Sequence, residues 1–329
     1  MKIRILSAND VRRALPMGDA IEGMKSAFAQ LSQQQAVVPL RAHLEVQPHQ
    51  GTTLVMPAYL QESDDLAVKV VSIFPQNVTR SQPTIQAMVL LLEAQSGRPL
   101  AILEGASLTA VRTGAGSGAA TDLLARKDAA IVAILGSGVQ ARTQLEAVCT
   151  VRHIQEVRVY SPNHAHTVQF ARDMKGKGPI PQFIRMMNSA KTAVRGADII
   201  CTATSSNMPV FNRDSLKSGV HINGVGSFLP TMQEVDAQTV RDALLVVDSR
   251  IAALEEAGDI IIPIQNGTIN EGHIHAELGE IVAGLKPGRT DNGQITFFKS
   301  VGIAVQDAAA AQIALQNAEK MGLGTLVDF

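Results

Sequence analysis

Ile131-Val132-Ala133-Ile134-Leu135-Gly136-Ser137-Gly138-Val139-Gln140-Ala141 is the stretch that decides the fold. Its first five residues are apolar without a break, as a strand buried on both faces of a parallel sheet requires. Gly136 follows at once and permits a tight turn. Gly138 lets backbone approach a pyrophosphate closely, and small Ala141 lets a following helix press against the strand. That helix, continued by Arg142-Thr143-Gln144-Leu145, offers free N–H groups and its positive dipole end to phosphate oxygens. A GxGxxA pattern carries little weight alone. Here a strand precedes it, a helix follows, and a second strand, Val157-Arg158-Val159-Tyr160, lies where a dinucleotide-binding βαβ unit needs one.

Working outward, the pattern from about residue 108 alternates between helix and strand. A small-residue helix (108–125) precedes strand 131–135, helix 138–149, strand 157–161 and helix 164–174, with further strands at 183–187, 198–203, 220–224 and 244–248. Strands separated by helical stretches imply parallel pairing with helices on both faces. Residues 36–103 read differently. Short β-rich runs at 52–56, 66–74, 85–92 and 99–103, divided by turns such as Pro48-His49-Gln50-Gly51, predict an antiparallel or mixed sheet. Ser7-x-x-Asp10 is a capping-box start ahead of Val11, Leu15, Ala20, Met24 and Phe28 at helical spacing. A last helix, 303–321, ends at Gly322 and is expected to return to the first domain. The fold class is therefore α/β: a Rossmann dinucleotide-binding domain (113–302) and a discontinuous α/β domain (1–112 and 303–329).

Composition narrows the function classes. A chain of 329 residues that is 46% hydrophobic and 18% charged, with net charge −1, suits two well-packed domains. No block of like charge calls for a polyanion, and no Trp and two Tyr leave few platforms for single-stranded nucleic acid. Nucleic acid is thus not an expected partner. Cys149 and Cys201 make no disulfide framework. The start, MKIRILSANDVRR, lacks the apolar region of a secretory signal, and no run of 18 apolar residues crosses a membrane. A cytoplasmic location is expected, with no membrane partner.

The end of the second Rossmann strand chooses between cofactors. An acid there would hold the adenosine ribose 2′-hydroxyl of NAD. This chain has Ser161-Pro162-Asn163-His164 instead, so NADP(H) is favoured and NAD(H) is the alternative. Ser161 and Asn163 are the candidate donors. Elsewhere, Lys69 lies in the otherwise apolar run Leu66 to Ile73. Either it sits at a sheet edge and reaches solvent, or it lies in a pocket with an anionic partner, where it can bind a carboxylate or donate a proton. Arg112, among Thr109, Ala110, Val111, Thr113 and Gly114, can grip a carboxylate or a pyrophosphate bidentately. Arg41 is a third cationic candidate. His273-Ile274-His275-Ala276-Glu277 has no third ligand nearby, so no metal site is expected. No GxSxG elbow and no P-loop is present.

Several stretches, in order and over nearly the whole length, resemble the ornithine cyclodeaminase/μ-crystallin family. They are Met56-Pro57-Ala58-Tyr59, the Lys69 strand with Phe74-Pro75-Gln76-Asn77, Pro83-Thr84, Leu108 to Ala115, the Gly136 to Ala141 turn, Cys201-Thr202-Ala203-Thr204, Asn223 to Ser227, Ile274 to Arg289 and Lys299-Ser300-Val301-Gly302. The resemblance implies a Rossmann domain beside an α/β domain whose sheets join across a homodimer. It implies that Arg41, Lys69 and Arg112 hold a substrate carboxylate between domains with Val301 nearby, and that Lys69 donates the proton. Thr84, Arg112, Gly136, Gly138, Val139, Gln140, Ser161, Asn163, Thr202, Val225, Gly226 and Ser300 would line the cofactor. The implied activity is NAD(P)-dependent oxidoreduction at C=N or CH–NH bonds of a small imino or amino acid. The family includes ornithine cyclodeaminases, alanine dehydrogenases, ketimine reductases and thyroid-hormone-binding crystallins.

One departure narrows the choice. Where the cyclodeaminases carry an acid/base Asp, this chain has Phe228, and a lysine they carry four residues later is Met232. A phenyl ring cannot relay a proton. The expectation is a reductase of 2-imino acids, with a cyclic ketimine carboxylate such as Δ1-pyrroline-2-carboxylate preferred. An alanine-type dehydrogenase, an ornithine cyclodeaminase and a non-catalytic crystallin-like binding protein are the alternatives.

Overall fold

The computed structural model describes residues 2–329. In chain order its regular elements are β1 (Lys2–Leu6), α1 (Ala8–Ala14), α2 (Met17–Ser32), β2 (Ala36–Val37), β3 (Ala42–Val46), β4 (Gly51–Leu60), β5 (Asp65–Ile73), β6 (Ile85–Glu93), β7 (Pro99–Glu104) and α3 (Gly105–Leu124). There follow β8 (Ile131–Leu135), α4 (Val139–Val151), β9 (Glu156–Tyr160), α5 (His164–Met174), β10 (Ile184–Met186), α6 (Ala190–Val194), β11 (Ile199–Thr202), β12 (His221–Gly224), α7 (Ala237–Asp242) and β13 (Leu244–Val247). The chain closes with α8 (Arg250–Glu256), α9 (Gly258–Gln265), β14 (Ile274–Glu277), α10 (Leu278–Val282), β15 (Thr296–Lys299), α11 (Ala304–Met321) and β16 (Thr325–Asp328). Two compact units result: Met1–Arg112 with Ala304–Phe329, and Thr113–Ile303.

The first unit is built on an eight-stranded mixed sheet in the order β16-β1-β7-β6-β5-β4-β2, with β3 also paired to β4. Strand periodicity divides its residues between two faces. In β4, Leu54, Met56, Ala58 and Leu60 are buried, whereas Val55, Pro57 and Tyr59 between them are not. The buried face meets α11, a helix so rich in alanine that backbone and sheet can approach closely. Helix α2 packs along α11 and buries Met24 and Phe28 completely, each worth about 1.5–3 kcal/mol of apolar transfer.

The Ser7 capping box is present, with the Asp10 N–H donating to Ser7 Oγ at 3.3 Å and the Ser7 N–H to Asp10 Oδ2 at 3.0 Å. The apolar spacing from Val11 to Phe28, however, spans two helices. Pro16 has no N–H to continue α1, and it precedes a fresh start at Met17.

The second unit is a sheet of eight parallel strands in the order β10-β9-β8-β11-β12-β15-β13-β14. Its central strands β8, β11, β12, β15 and β13 are buried on both faces, whereas β9, β10 and β14 alternate or are partly exposed. Val132 to Leu135 are at most 1% exposed, as their unbroken apolar run requires. Strands β14 and β15 extend the sheet beyond those the alternation predicts.

Candidate active site

In the first unit, Lys69 is in the middle of β5, an interior strand, which removes the edge-strand reading. It stands opposite Met56 of β4 and Val89 of β6, both apolar, and is 3% exposed. Its partner comes from the other end of the chain. Lys69 Nζ lies 2.6 Å from Asp307 Oδ2, in the first turn of α11. The same carboxylate accepts from Arg112 Nε at 3.1 Å, and Arg112 Nη1 donates to Gln306 Oε1 at 2.9 Å. Burial lowers the Lys69 pKa to about 8; Asp307 opposes that shift, and Arg112 and Arg41 add to it. Arg41, half-buried just before β3, therefore acts on the same ammonium. Asp307 is held below the ordinary carboxylate range against its burial, Arg112 and then Lys69 being the opposing causes. The main charges acting on Lys69 are thus two cations and one anion. Thr84, ahead of β6, uses its carbonyl to accept from Phe74 N–H at 2.8 Å.

In the second unit, Gly136 closes β8 with φ +112°, and an added Cβ would collide with the Ala203 carbonyl oxygen. Gly138 caps α4 without any side-chain hydrogen bond, and a Cβ there would meet nothing within 4 Å. A helix start with no side-chain cap, open space at the Gly138 Cβ position and an exposed Val139 beside it fits the phosphates of a dinucleotide. Gln140 follows on the same turn, and Ala141 is fully buried. At the end of β9, Ser161 is half-buried and its carbonyl accepts from Thr167 Oγ1 at 3.5 Å. Asn163 caps α5 by accepting from His166 N–H. His164 and His166 are exposed there, and no acid follows Tyr160.

Three buried carboxylates that the sequence reading missed fix, directly or through one another, the remaining predicted cofactor residues. Glu234 Oε2 accepts from Thr202 Oγ1 at 2.9 Å, from Gly226 N at 2.7 Å and from Ser227 N at 3.2 Å. Its Oε1 accepts from Thr204 N and Thr204 Oγ1, each at 2.7 Å. Glu234 thereby joins the end of β11 to the end of β12, where Val225 and Gly226 lie. Asp259 receives the N–H groups of Glu234 and Val235 on one oxygen, and its other oxygen lies 3.4 Å from Lys299 Nζ. Asp248 does similar work after β15. Its Oδ2 accepts from Ser300 Oγ at 2.7 Å, Val301 N at 2.9 Å and Gly302 N at 2.8 Å. Of these acids only Asp248, which follows Leu244 to Val247, ends an apolar run as a sequence signal; Glu234 stands in a polar stretch.

The other candidates are structural. His273 Nε2 bonds Val240 O and His275 Nε2 bonds Pro287 O. Among the described residues no group of three His, Cys, Asp or Glu is placed to hold a metal. Burial pushes the thiols of Cys149 and Cys201 up to about 12, so neither is a thiolate. No helix among the described residues is long and apolar enough to cross a membrane.

A unit with a parallel eight-stranded sheet and a glycine turn at β8, together with a separate mixed-sheet unit, defines a Rossmann-like α/β protein. The chain belongs to the ornithine cyclodeaminase/mu-crystallin family, whose pattern matches residues 1–322. It is 40% identical over 326 residues to a Delta(1)-pyrroline-2-carboxylate reductase of Bacillus cereus, covering 99% of each chain. Its fold matches the Delta(1)-pyrroline-2-carboxylate reductase of Thermococcus litoralis in complex with NADH and L-proline, with a TM-score of 0.93, 47% identity, and coverage of 98% of this chain and 99% of that one. It also matches an archaeal alanine dehydrogenase dimer with bound NAD, with a TM-score of 0.92 and 32% identity over the whole of both chains.

Proposed function

We propose that this chain is an NAD(P)H-dependent reductase of cyclic 2-imino acids, converting Δ1-pyrroline-2-carboxylate to proline. The observation that carries the substrate class is the cluster in the first unit, where buried Lys69 and Arg112 share one carboxylate, Asp307, and half-buried Arg41 also acts on Lys69. Buried cations in excess of anions favour binding of a small carboxylate. The two reductases that share 40% and 47% of its residues along their whole length support the same substrate.

In this reading the second unit binds the dinucleotide and the first holds the substrate. When bound, the dinucleotide supplies a hydride for the carbon of the C=N bond. Arg112 and Arg41 fix the carboxylate, so that orientation and charge stabilisation come together. Lys69, an ammonium near neutral pH, supplies the proton to the imine nitrogen. Phe228 follows buried Ser227 where a cyclodeaminase needs its acid. The nearest buried acids, Glu234 and Asp259, are committed to backbone N–H groups. No group there is left to take a proton from ornithine. NADP(H) is the preferred form in this reading, because β9 ends without the acid that would bind the ribose hydroxyl and repel a 2′-phosphate.

The molecule is a cytoplasmic homodimer in the same proposal. Helices cover one face of the mixed sheet, whereas the other carries Pro57, Val68, Leu90, Ile102 and Ile5 in register across five strands. An apolar row of that length marks a protein interface. A neighbour described as a dimer supports it.

The test is a spectrophotometric screen of NADH and NADPH oxidation against pyrroline-2-carboxylate, piperideine-2-carboxylate and pyruvate with ammonia, with ornithine assayed against oxidised cofactor. The cyclic imines should be reduced fastest. Proline and ammonia released from ornithine, or faster turnover of pyruvate with ammonia, would overturn the assignment.

A further inference from the structure

Asp307 has no place in the reaction as just described, yet every strong contact of the two buried cations passes through it or its neighbour Gln306. Its carboxylate is fully buried and lies between two helices and a strand: α11 carries it, α3 brings Arg112, and β5 brings Lys69. We propose that Asp307 is a positioning residue of the reaction, which holds Lys69 as an ammonium and fixes where Lys69 and Arg112 present their N–H groups. This inference rests on the assignment of Lys69 as the proton donor.

The geometry divides the carboxylate between its partners. Oδ2 faces Lys69 Nζ at 2.6 Å and Oδ1 faces Arg112 Nε at 3.1 Å, so each oxygen orients one cation. Arg112 keeps Nη2 outside this pair and outside its bond from Nη1 to Gln306. Lys69 has no second anion among the groups that act on it most strongly: α3 presents Arg112, the segment before β3 presents Arg41, and the flanking strands present Met56 and Val89. Burial and two neighbouring cations all disfavour the ammonium, and Asp307 alone opposes them. Without it Lys69 would be neutral at physiological pH, with no proton to give and no charge to attract a carboxylate. A buried ion pair is weak evidence of stabilisation in its own right, since apolar residues of equal volume serve a core as well or better. Its cost is explained when the pair keeps a proton available at a reacting centre.

The test is the pH profile of kcat/KM for cyclic-imine reduction, with folding checked by circular dichroism. In the unmodified enzyme the basic limb should fall near the Lys69 value of about 8. In Asp307→Asn it should move down by about 1–3 units, the usual effect of losing an opposite charge at this range, and activity should recover as the pH is lowered. Asp307→Glu keeps the charge, so its limb should stay in place while KM changes with the moved carboxylate. An unmoved limb in folded Asp307→Asn, or a limb displaced by a unit or more in Asp307→Glu, overturns the proposal. Should the Asn variant not fold, the Glu variant decides. Lys69→Ala separates this inference from the one it rests on. Unchanged kcat and KM there would remove Lys69 from the chemistry, whereas an inactive Lys69→Ala with an unmoved Asp307→Asn limb would sink the role of Asp307 alone.

Discussion

Glu234→Gln tests the buried carboxylate that joins the ends of β11 and β12. Five donors point at its two oxygens: three N–H groups and two threonine hydroxyls. An amide must turn its NH2 toward one set. Facing Oε2's partners, it would orphan the N–H groups of both Gly226 and Ser227. Facing Oε1's partners it orphans only Thr204 N–H, because the Thr204 hydroxyl can rotate and accept. The better orientation still leaves one buried N–H unsatisfied, at about 1–3 kcal/mol, and removes charge assistance from the remaining bonds at several tenths each. A loss of about 3–5 kcal/mol follows. For a unit of this size that is a fall in Tm of roughly 6–20 °C by calorimetry, with weaker dinucleotide binding because Thr202 and Gly226 shift. Burial and the nearby Asp259 push the Glu234 pKa up, and Lys299 and Thr204 push it back. The donor count decides for the ionised form, since a protonated carboxyl would itself be a donor. An unchanged Tm in Glu234→Gln would refute that reasoning, because glutamine mimics a protonated glutamate.

The two fingerprint glycines should separate folding from binding. Gly136→Ala, with φ +112° and the Ala203 carbonyl in the way, should cost about 1–3 kcal/mol in thermal unfolding; Gly138→Ala, with open space at its Cβ, should keep its Tm and lose about tenfold in dinucleotide affinity by calorimetry. Ser161→Asp should move the ratio of kcat/KM from NADPH toward NADH, and tighter NADH binding by the unmodified protein would contradict the reading of β9. Burial raises the Asp65 pKa from 3.8 to about 6, so its contribution to stability is complete below pH 4 and lost as pH rises through 6. Asp65→Asn should therefore stabilise the protein at pH 7 by on the order of 1 kcal/mol and not at pH 4, as denaturant titration at the two values would show.

Elements whose side chains obey one local rule were legible in the sequence. The buried run Ile131 to Leu135 and the helix His164–Met174 have the bounds their patterns imply, and Gly322 ends α11 with φ +64°. The break at Pro16 was hidden because Val11 and Phe28 lie on faces of different helices that happen to keep a common spacing. Strands β1, β3 and β16 went unread for another reason: charged and exposed side chains interrupt them, and their pairing is settled by distant partners such as Lys2 with Asp328. The site divides in the same way. Cations standing in apolar runs could be singled out, but Asp307, Glu234 and Asp248 acquire meaning only through the groups that fold onto them.

The pairing of Arg112 with Asp307 joins positions 195 residues apart, and it constrains how the chain can be made. While the ribosome is still translating the second unit, residues 1–112 contain Lys69 and Arg112 but not the carboxylate that allows their burial, nor the helix that covers the sheet. The second unit, by contrast, is continuous in sequence and holds its own counter-charges, Glu234, Asp248 and Asp259. Synthesis from the N-terminus therefore favours an order in which the later-made unit matures first, while the first remains incomplete until α11 leaves the exit tunnel. Nascent chains stalled before residue 304 should accordingly be protease-sensitive in their first 112 residues and resistant beyond them.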